Sequence, residues 1–396
     1  MDYPTKPRRI EPLLRQLAQQ YPAITLTGPR QSGKTTLCRA IFHDLPYLNL
    51  EPLDRREYAR SDPRGLLAEY PDGVILDEVQ HAPELPSYLQ EAIDRDPSPG
   101  RFVLTGSQHF GLTATVSQSL AGRTAVLHLL PLSLDEIVTF GTPVEDLFDM
   151  LFTGGYPRIH DRRLDPGRWL ADYVATYVER DVRQIANVGD LTAFAQFLRL
   201  CAARTGQEIN LSALGADAGV SHNTARSWLS IMEASFLVFR APAWHRNIRK
   251  QLIKAPKLHF LDAGLACYLL GIRNGGELRH HPLRGAVFES WVAAEIYKHR
   301  AHRGLPAAIL HYRQTRGPEI DVLVQEGLNG IACEVKSAAT LHPAMLAPLA
   351  AVKDRLENLS PPIRLQQRLV YGGKASQNRA GVACIGWRTI HEHDWS

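Results

Sequence analysis

Nine consecutive residues constrain this chain more than any other stretch: Gly28-Pro29-Arg30-Gln31-Ser32-Gly33-Lys34-Thr35-Thr36. They spell G-x-x-x-x-G-K-T, a loop whose glycines let successive backbone N–H groups point inward at phosphate oxygens. The positive end of the helix beginning at Gly33 adds to those dipoles, so an anion site exists before any side chain is counted. Lys34 is then placed to reach β- and γ-phosphates, and the Thr35 hydroxyl to bind Mg²⁺. The flanks agree with the motif. Ala23-Ile24-Thr25-Leu26-Thr27 is a β-prone run directly before Gly28, and Leu37, Ala40 and Ile41 follow at helical spacing.

Further along, Gly73-Val74-Ile75-Leu76-Asp77-Glu78 is an apolar strand ending in two acids. Ligands in parallel sheets bind at the carboxyl ends of strands, where these acids fall. Asp77 is expected to hold Mg²⁺, usually through water, and Glu78 to orient or deprotonate an attacking water. Arg101-Phe102-Val103-Leu104-Thr105-Gly106-Ser107 repeats the design. Ser107 then either senses the γ-phosphate, holds the lytic water, or merely ends a strand. Arg123, in Ser119-Leu120-Ala121-Gly122-Arg123, is the candidate cation for transition-state charge, in cis or from a neighbouring molecule; an ordinary surface arginine is the competing reading.

These segments, written GPRQSGKTTL, ILDEVQ, LTGSQ and SLAGRTAVLHLLPLS, resemble a prokaryotic ATPase family of the AAA+ superfamily whose members carry a C-terminal domain of unknown function. The resemblance implies an α/β P-loop ATPase core, ATP with Mg²⁺, and the roles given above for Lys34, Thr35, Asp77, Glu78 and Ser107. It does not imply what ATP turnover drives.

Composition sets the class. The 396 residues suffice for two or three cores, and 44% hydrophobic with 22% charged residues is a globular balance. No apolar run approaches the roughly 18 residues a membrane span needs, and the N-terminal segment lacks an apolar signal core. Cys38, Cys201, Cys267, Cys333 and Cys384 are widely separated with no C-x-x-C pair, which suits a reducing cytoplasm rather than a disulfide framework. The net charge of +4 is only mildly basic.

Beyond the ATPase segment (1–140), residues 141–205 are expected to be helical, with Trp169, Leu170, Tyr173, Val174, Tyr177 and Val178 as an apolar stripe. Residues 206–280 suggest a winged helix: Gly219 permits the turn, Ser221 caps the next helix, and His222, Asn223, Arg226 and Ser227 face outward, where a recognition helix reads DNA. The acid-free stretch 240–257, with Arg240, Arg246, Arg249, Lys250, Lys254 and Lys257 around Trp244, suits a wing lying on phosphates, or else a wing that is merely solvated. In residues 281–396, Glu289 on a helix, Asp321 on a strand and Glu334-Val335-Lys336 on the next resemble the D…E-x-K site of restriction-endonuclease-like folds. Alternate strand residues share a face. Glu289, Asp321 and Glu334 would hold a second divalent metal and Lys336 would stabilise a hydrolytic water; alternating charges on an edge hairpin are the other reading. The expected fold is therefore α/β: a P-loop AAA+-type ATPase core, a helical region and winged helix, and a C-terminal restriction-endonuclease-like α/β domain. The expected function is a cytoplasmic Mg²⁺-dependent ATPase that binds DNA, with no membrane partner and with metal-dependent cleavage of nucleic acid and a homo-oligomer both left open. The alternative is an ATP-gated protein-interaction module with a silent nuclease-like domain.

Overall fold

The computed structural model describes residues 6–106, 119–178, 190–247, 251, 254–314 and 317–396. Two compact units emerge, the first centred on Met1–Pro131 and the second on the remainder, with short exchanges at Ala234–Phe236 and Ala301–Gly304.

Unit 1 is a five-stranded parallel sheet of β1 (Ala23–Thr27), β2 (Tyr47–Asn49), β3 (Val74–Asp77), β4 (Phe102–Gly106) and β5 (Thr124–His128), in the order β2-β3-β4-β1-β5. Strand alternation divides its core into two faces. Ile24, Leu26, Ile75 and Val103 pack with Ile10, Leu14, Leu37 and Ile41 from the helices around Glu11–Ala18 and Lys34–Ile41. Ala23, Val74, Leu76, Phe102 and Leu104 pack with Ala59, Leu66, Leu85, Leu89 and Ile93 from the helices Leu53–Ser61, Pro63–Ala68 and Leu85–Arg95. Covered on both faces, β1, β3 and β4 are buried at every residue, which is why they read as nearly unbroken apolar runs. The threonines in β1 are satisfied sideways, Thr25 by the Thr124 hydroxyl at 2.9 Å and Thr27 by His128 Nδ1 at 2.7 Å.

Unit 2 begins with short helices, among them Leu147–Thr153, Pro157–Arg162 and Pro166–Tyr173. Leu170, Tyr173 and Val174 of the expected stripe are buried and Trp169 packs against them; the Tyr177 and Val178 side chains lie outside the described residues. Next comes the succession helix Leu191–Ala203, β6 (Gln207–Glu208), helices Leu211–Asp217 and His222–Ala234, β7 (Val238–Ala241) and β8 (Lys257–Phe260), with an antiparallel sheet ordered β6-β8-β7. Helix Arg284–Ala301 then leads to a six-stranded mixed sheet ordered β13-β14-β12-β11-β10-β9. Its strands are β9 (Leu310–Arg313), β10 (Glu319–Glu326), β11 (Asn329–Lys336), β12 (Arg364–Tyr371), β13 (Gln377–Arg379) and β14 (Val382–Gly386). The β10–β11 pair is antiparallel, and the register Val322↔Cys333 sets Asp321 beside Glu334. No helix among the described residues is long and apolar enough to cross a membrane.

One close approach in unit 1 has a measurable consequence. Gly73 enters β3 at φ +119°, and a Cβ there would lie 2.0 Å from the Arg101 carbonyl oxygen. Gly73→Ala should therefore destabilise the protein by about 3 kcal/mol, combining an unfavourable backbone conformation with overpacking. Chemical denaturation followed by circular dichroism checks this; an unchanged midpoint would contradict the geometry.

Candidate functional site

The nine-residue loop sits at the carboxyl end of β1, the strand between β4 and β5 of the parallel sheet. Three backbone features hold it open. Gly28 has φ +150°, and a Cβ there would strike the Leu129 carbonyl oxygen at 2.1 Å. Gln31 (φ 63°) and Gly33 (φ 94°) take left-handed conformations that turn the chain into helix Lys34–Ile41. Buried Arg8 pins the loop from outside the motif, donating to the Ser32 carbonyl at 2.8 Å and the Leu130 carbonyl at 2.7 Å.

The Lys34 ammonium is folded back onto the loop, donating to the carbonyls of Gly28 (3.0 Å) and Pro29 (2.9 Å). Burial lowers its pKa to about 8, against the raising pull of Glu78 and Asp77. The Ser32 hydroxyl is buried with no hydrogen-bond partner, a cost that a polar ligand would remove. Thr36 is exposed on the helix, one step beyond Thr35. A glycine cradle, an ammonium bonded only weakly by neutral carbonyls, and an orphaned hydroxyl fit a triphosphate.

Asp77, at the end of β3, is gripped by three hydroxyls from three elements. Thr35 donates to Oδ2 at 2.7 Å, Tyr47 to the same oxygen at 2.6 Å, and Thr105 to Oδ1. Burial, then the hydrogen bond to Asp77, pushes the Tyr47 phenol up. The expected pair of Mg²⁺ ligands, Thr35 and Asp77, is thus already adjacent. Glu78 follows in a left-handed conformation (φ 56°) and accepts a hydrogen bond from the Gln80 amide.

Arg123 lies away from the loop on this molecule. It immediately precedes β5, and Ala23, the first residue of β1, donates to its carbonyl at 3.2 Å. It therefore stands at the amino end of the sheet, about five residues or ~16 Å of strand from the loop. Its guanidinium forks onto Asp94 at 2.6 and 2.9 Å. On this molecule it is thus engaged away from the loop, as the surface-arginine reading expects; action on a neighbouring molecule's phosphates is the other reading. Ser107 lies outside the described residues.

In unit 2 two of the predicted acids, Glu289 and Asp321, converge together with Glu319 on an unexpected cation. Lys257 Nζ is 2.9 Å from Glu289 Oε1, 2.9 Å from Glu319 Oε1 and 3.3 Å from Asp321 Oδ1. Asp321 Oδ2 also accepts from the Val335 N–H at 2.9 Å. Glu334 pairs with Lys336 at 2.5 Å, leaving Oε2 buried without a partner. Burial and then Asp321 push the carboxyls of Glu289 and Glu334 up to about 8 and about 7. Burial opposes the Lys257 charge, but Glu289, Asp321 and Glu319 outweigh it and hold the ammonium above its usual range. Among the described residues, no group of three or more side chains suited to holding a metal ion is present.

Within the stretch 240–257, Lys257 is 3% exposed and so presents its charge to neither solvent nor DNA. Arg240 pairs with Glu233 at 2.6 Å, Arg246 donates to the Ser360 carbonyl, and the Trp244 indole donates to Gln325 at 2.5 Å. Lys254 is exposed; Arg249 and Lys250 lie outside the described residues. Helix His222–Ala234 follows expectation, with Ala225, Trp228, Leu229 and Met232 buried and His222, Asn223, Arg226 and Ser227 exposed.

Comparison with known proteins matches these parts separately. Residues 20–138 match the AAA domain family, residues 144–275 a domain of unknown function (DUF8612), and residues 284–389 another (DUF4143). The chain is similar to AAA-domain ATPases. The match supports an AAA+ P-loop ATPase with a C-terminal DUF4143 domain, using ATP and Mg²⁺. Uncharacterized proteins of Mycobacterium bovis and Mycobacterium tuberculosis are each 29% identical over 332 residues, 83% of this chain and 73% of theirs. Among solved structures, a Walker-type ATPase of Pyrococcus abyssi is 16% identical, covering 68% of this chain and 99% of its own, with a TM-score of 0.47. AMPPCP-bound DnaA from Aquifex aeolicus is 15% identical, with 57% and 85% coverage and a TM-score of 0.28.

Three residues of this AAA-type site escape sequence reasoning: Arg8, Tyr47 and Thr105. Thr105 carried a signal, since a polar residue inside an apolar strand needs a partner, but Ser107 nearer the strand tip drew the assignment instead.

Two outcomes follow from the loop. Lys34→Ala should abolish measurable Mg-ATP binding in calorimetry, because the compensating charge at the γ-phosphate is lost; unchanged affinity would contradict the site. Triphosphate binding should also raise the lowered Lys34 pKa, so the complex binds more protons than the free protein. Affinity for Mg-ATP should therefore fall as pH rises through about 8, and titrations in buffers of different ionisation enthalpy should report proton uptake there. Affinity constant up to pH 9.5 would contradict this.

Proposed function

We propose that this chain is a Mg²⁺-dependent ATPase whose C-terminal half engages nucleic acid. The observation that carries the first part is the Lys34 ammonium held 2.9–3.0 Å from two loop carbonyls beside the Thr35–Asp77 pair. On binding, the loop N–H groups and Lys34 take the β- and γ-phosphate oxygens, and Lys34 exchanges two neutral acceptors for charged ones, which are about twice as strong. Thr35 and Asp77 would hold Mg²⁺, which when bound would supply charge to offset that of the phosphates. Glu78, next in the chain, orients the attacking water and accepts its proton. Glu78→Gln should keep Mg-ATP affinity within about twofold while slowing turnover by a factor on the order of 10²–10³. A variant that instead loses binding would give Glu78 a structural role.

The nucleic-acid part is supported by helix order and exposure. Helix, strand, two helices and two strands, with the first strand paired to the third, is the succession expected of a winged helix. Helix His222–Ala234 presents His222, Asn223, Arg226 and Ser227 outward at the position of a recognition helix. The engagement of Arg240, Arg246 and Lys257 within unit 2 favours the second reading, in which these modules dock a protein partner under ATP control. Duplex DNA separates the two. On the first reading DNA raises ATP turnover, and Asn223→Ala with Arg226→Ala weakens DNA binding about tenfold. Turnover indifferent to DNA, with no binding at low salt, would leave the docking reading.

A further inference from the structure

We propose that the Lys257 ammonium is the resident cation of the Glu289–Glu319–Asp321 cluster, standing where a D…E-x-K site would hold a divalent metal, so that unit 2 is metal-free at this position and becomes metal-binding only when Lys257 is removed. The inference is independent of the ATPase reading, because its test contains no nucleotide.

The stoichiometry is closed. An ammonium has three N–H groups, and three carboxylates from two elements, helix Arg284–Ala301 and β10, lie 2.9, 2.9 and 3.3 Å from Nζ. Lys257 arrives from a third, β8. Mg²⁺ needs oxygens at about 2.1 Å in near-octahedral array, so it would have to occupy nearly the same point as Nζ. Metal and ammonium exclude each other sterically as well as by charge. Solvent cannot easily draw Lys257 out, since its side chain is 4% exposed. The second cation of the region is also paired: half-buried Lys336 lies 2.5 Å from Glu334.

Removing Lys257 converts the same geometry into a site. Glu289, Glu319 and Asp321 would be left close together with no cation between them, and the unpartnered Oε2 of Glu334 lies on the neighbouring strand. Like-charged carboxylates at such spacing either protonate or capture a divalent ion. The chemical class is a hard cation taking oxygen ligands, Mg²⁺ or Mn²⁺.

The test titrates Mn²⁺ into the nucleotide-free full-length protein, with free Mn²⁺ read by electron paramagnetic resonance. Four proteins are compared: wild type, Asp321→Asn, Lys257→Met, and Lys257→Met with Asp321→Asn. The expected result is no Asp321-dependent site in the wild type, meaning that any weak binding there is unchanged by Asp321→Asn. Lys257→Met should gain a saturable site at least tenfold tighter than any wild-type binding, and Asp321→Asn should remove that gain. Millimolar Mn²⁺ should raise the thermal midpoint of Lys257→Met and leave the wild type unmoved. A saturable wild-type site lost in Asp321→Asn would overturn the proposal, as would a folded Lys257→Met that gains none. Should Lys257→Met fail to fold, the wild-type and Asp321→Asn pair decides alone, and Lys257→Gln, which keeps a polar group in place, supplies the second variant.

Discussion

The Asp77 carboxylate, held by the hydroxyls of Thr35, Tyr47 and Thr105, is the interaction on which unit 1 depends. It ties the helix after the phosphate loop to β2 and β4 across the end of β3. Hydrogen bonds to a charged group contribute roughly 1.5–3 kcal/mol each, and an uncompensated buried carboxylate would cost more. The arrangement also stores function. Two of the three hydroxyls share Oδ2, so a cation arriving at Thr35 finds its second ligand oriented without rearranging the sheet. Lys34 is kept in the same provisional way, bonded to backbone carbonyls that a phosphate would outcompete.

Unit 2 uses the opposite electrostatic strategy. Its buried carboxylates already have their cations: Lys257 on Glu289 and Asp321, with half-buried Glu319 beside them, Lys336 on Glu334, and Lys298 on Glu295 at 2.9 Å. Buried Arg300 reaches the exposed Glu326 at 2.5 Å and the Trp395 carbonyl at 2.8 Å. Breaking such a buried pair typically costs about 3–5 kcal/mol, while well-packed apolar replacements are often neutral. These clusters therefore fix which elements meet rather than adding net stability. The ATPase site keeps a cation in waiting; the C-terminal cluster keeps one in residence.

Much of this was legible from residues close in sequence. The loop, its flanking strand and helix, Asp77 at the end of β3 and the outward face of helix His222–Ala234 all rest on local spacing, and local spacing survives folding. The convergence of Asp321 and Glu334 followed from strand alternation and a short hairpin. What escaped depends on long-range pairing. Tyr47 meets Asp77 30 residues away, and Arg8 meets Leu130 across 122. Lys257 misled because its neighbourhood contains no acid between Glu233 and Asp262, while its partners lie 32 and 64 residues further on. Arg123 could not be placed from spacing alone: it sits at the beginning of β5, and the strand ends face the loop.

The most direct measurement of the central claim is a crystal structure of the protein with Mg²⁺ and a non-hydrolysable ATP analogue at saturating concentration. The account predicts the triphosphate inside the Gly28–Thr36 loop, Lys34 Nζ moved from the Gly28 and Pro29 carbonyls onto phosphate oxygens, and the metal at Thr35 beside Asp77. An analogue bound elsewhere, or a loop left empty with Lys34 still on its carbonyls, would contradict it.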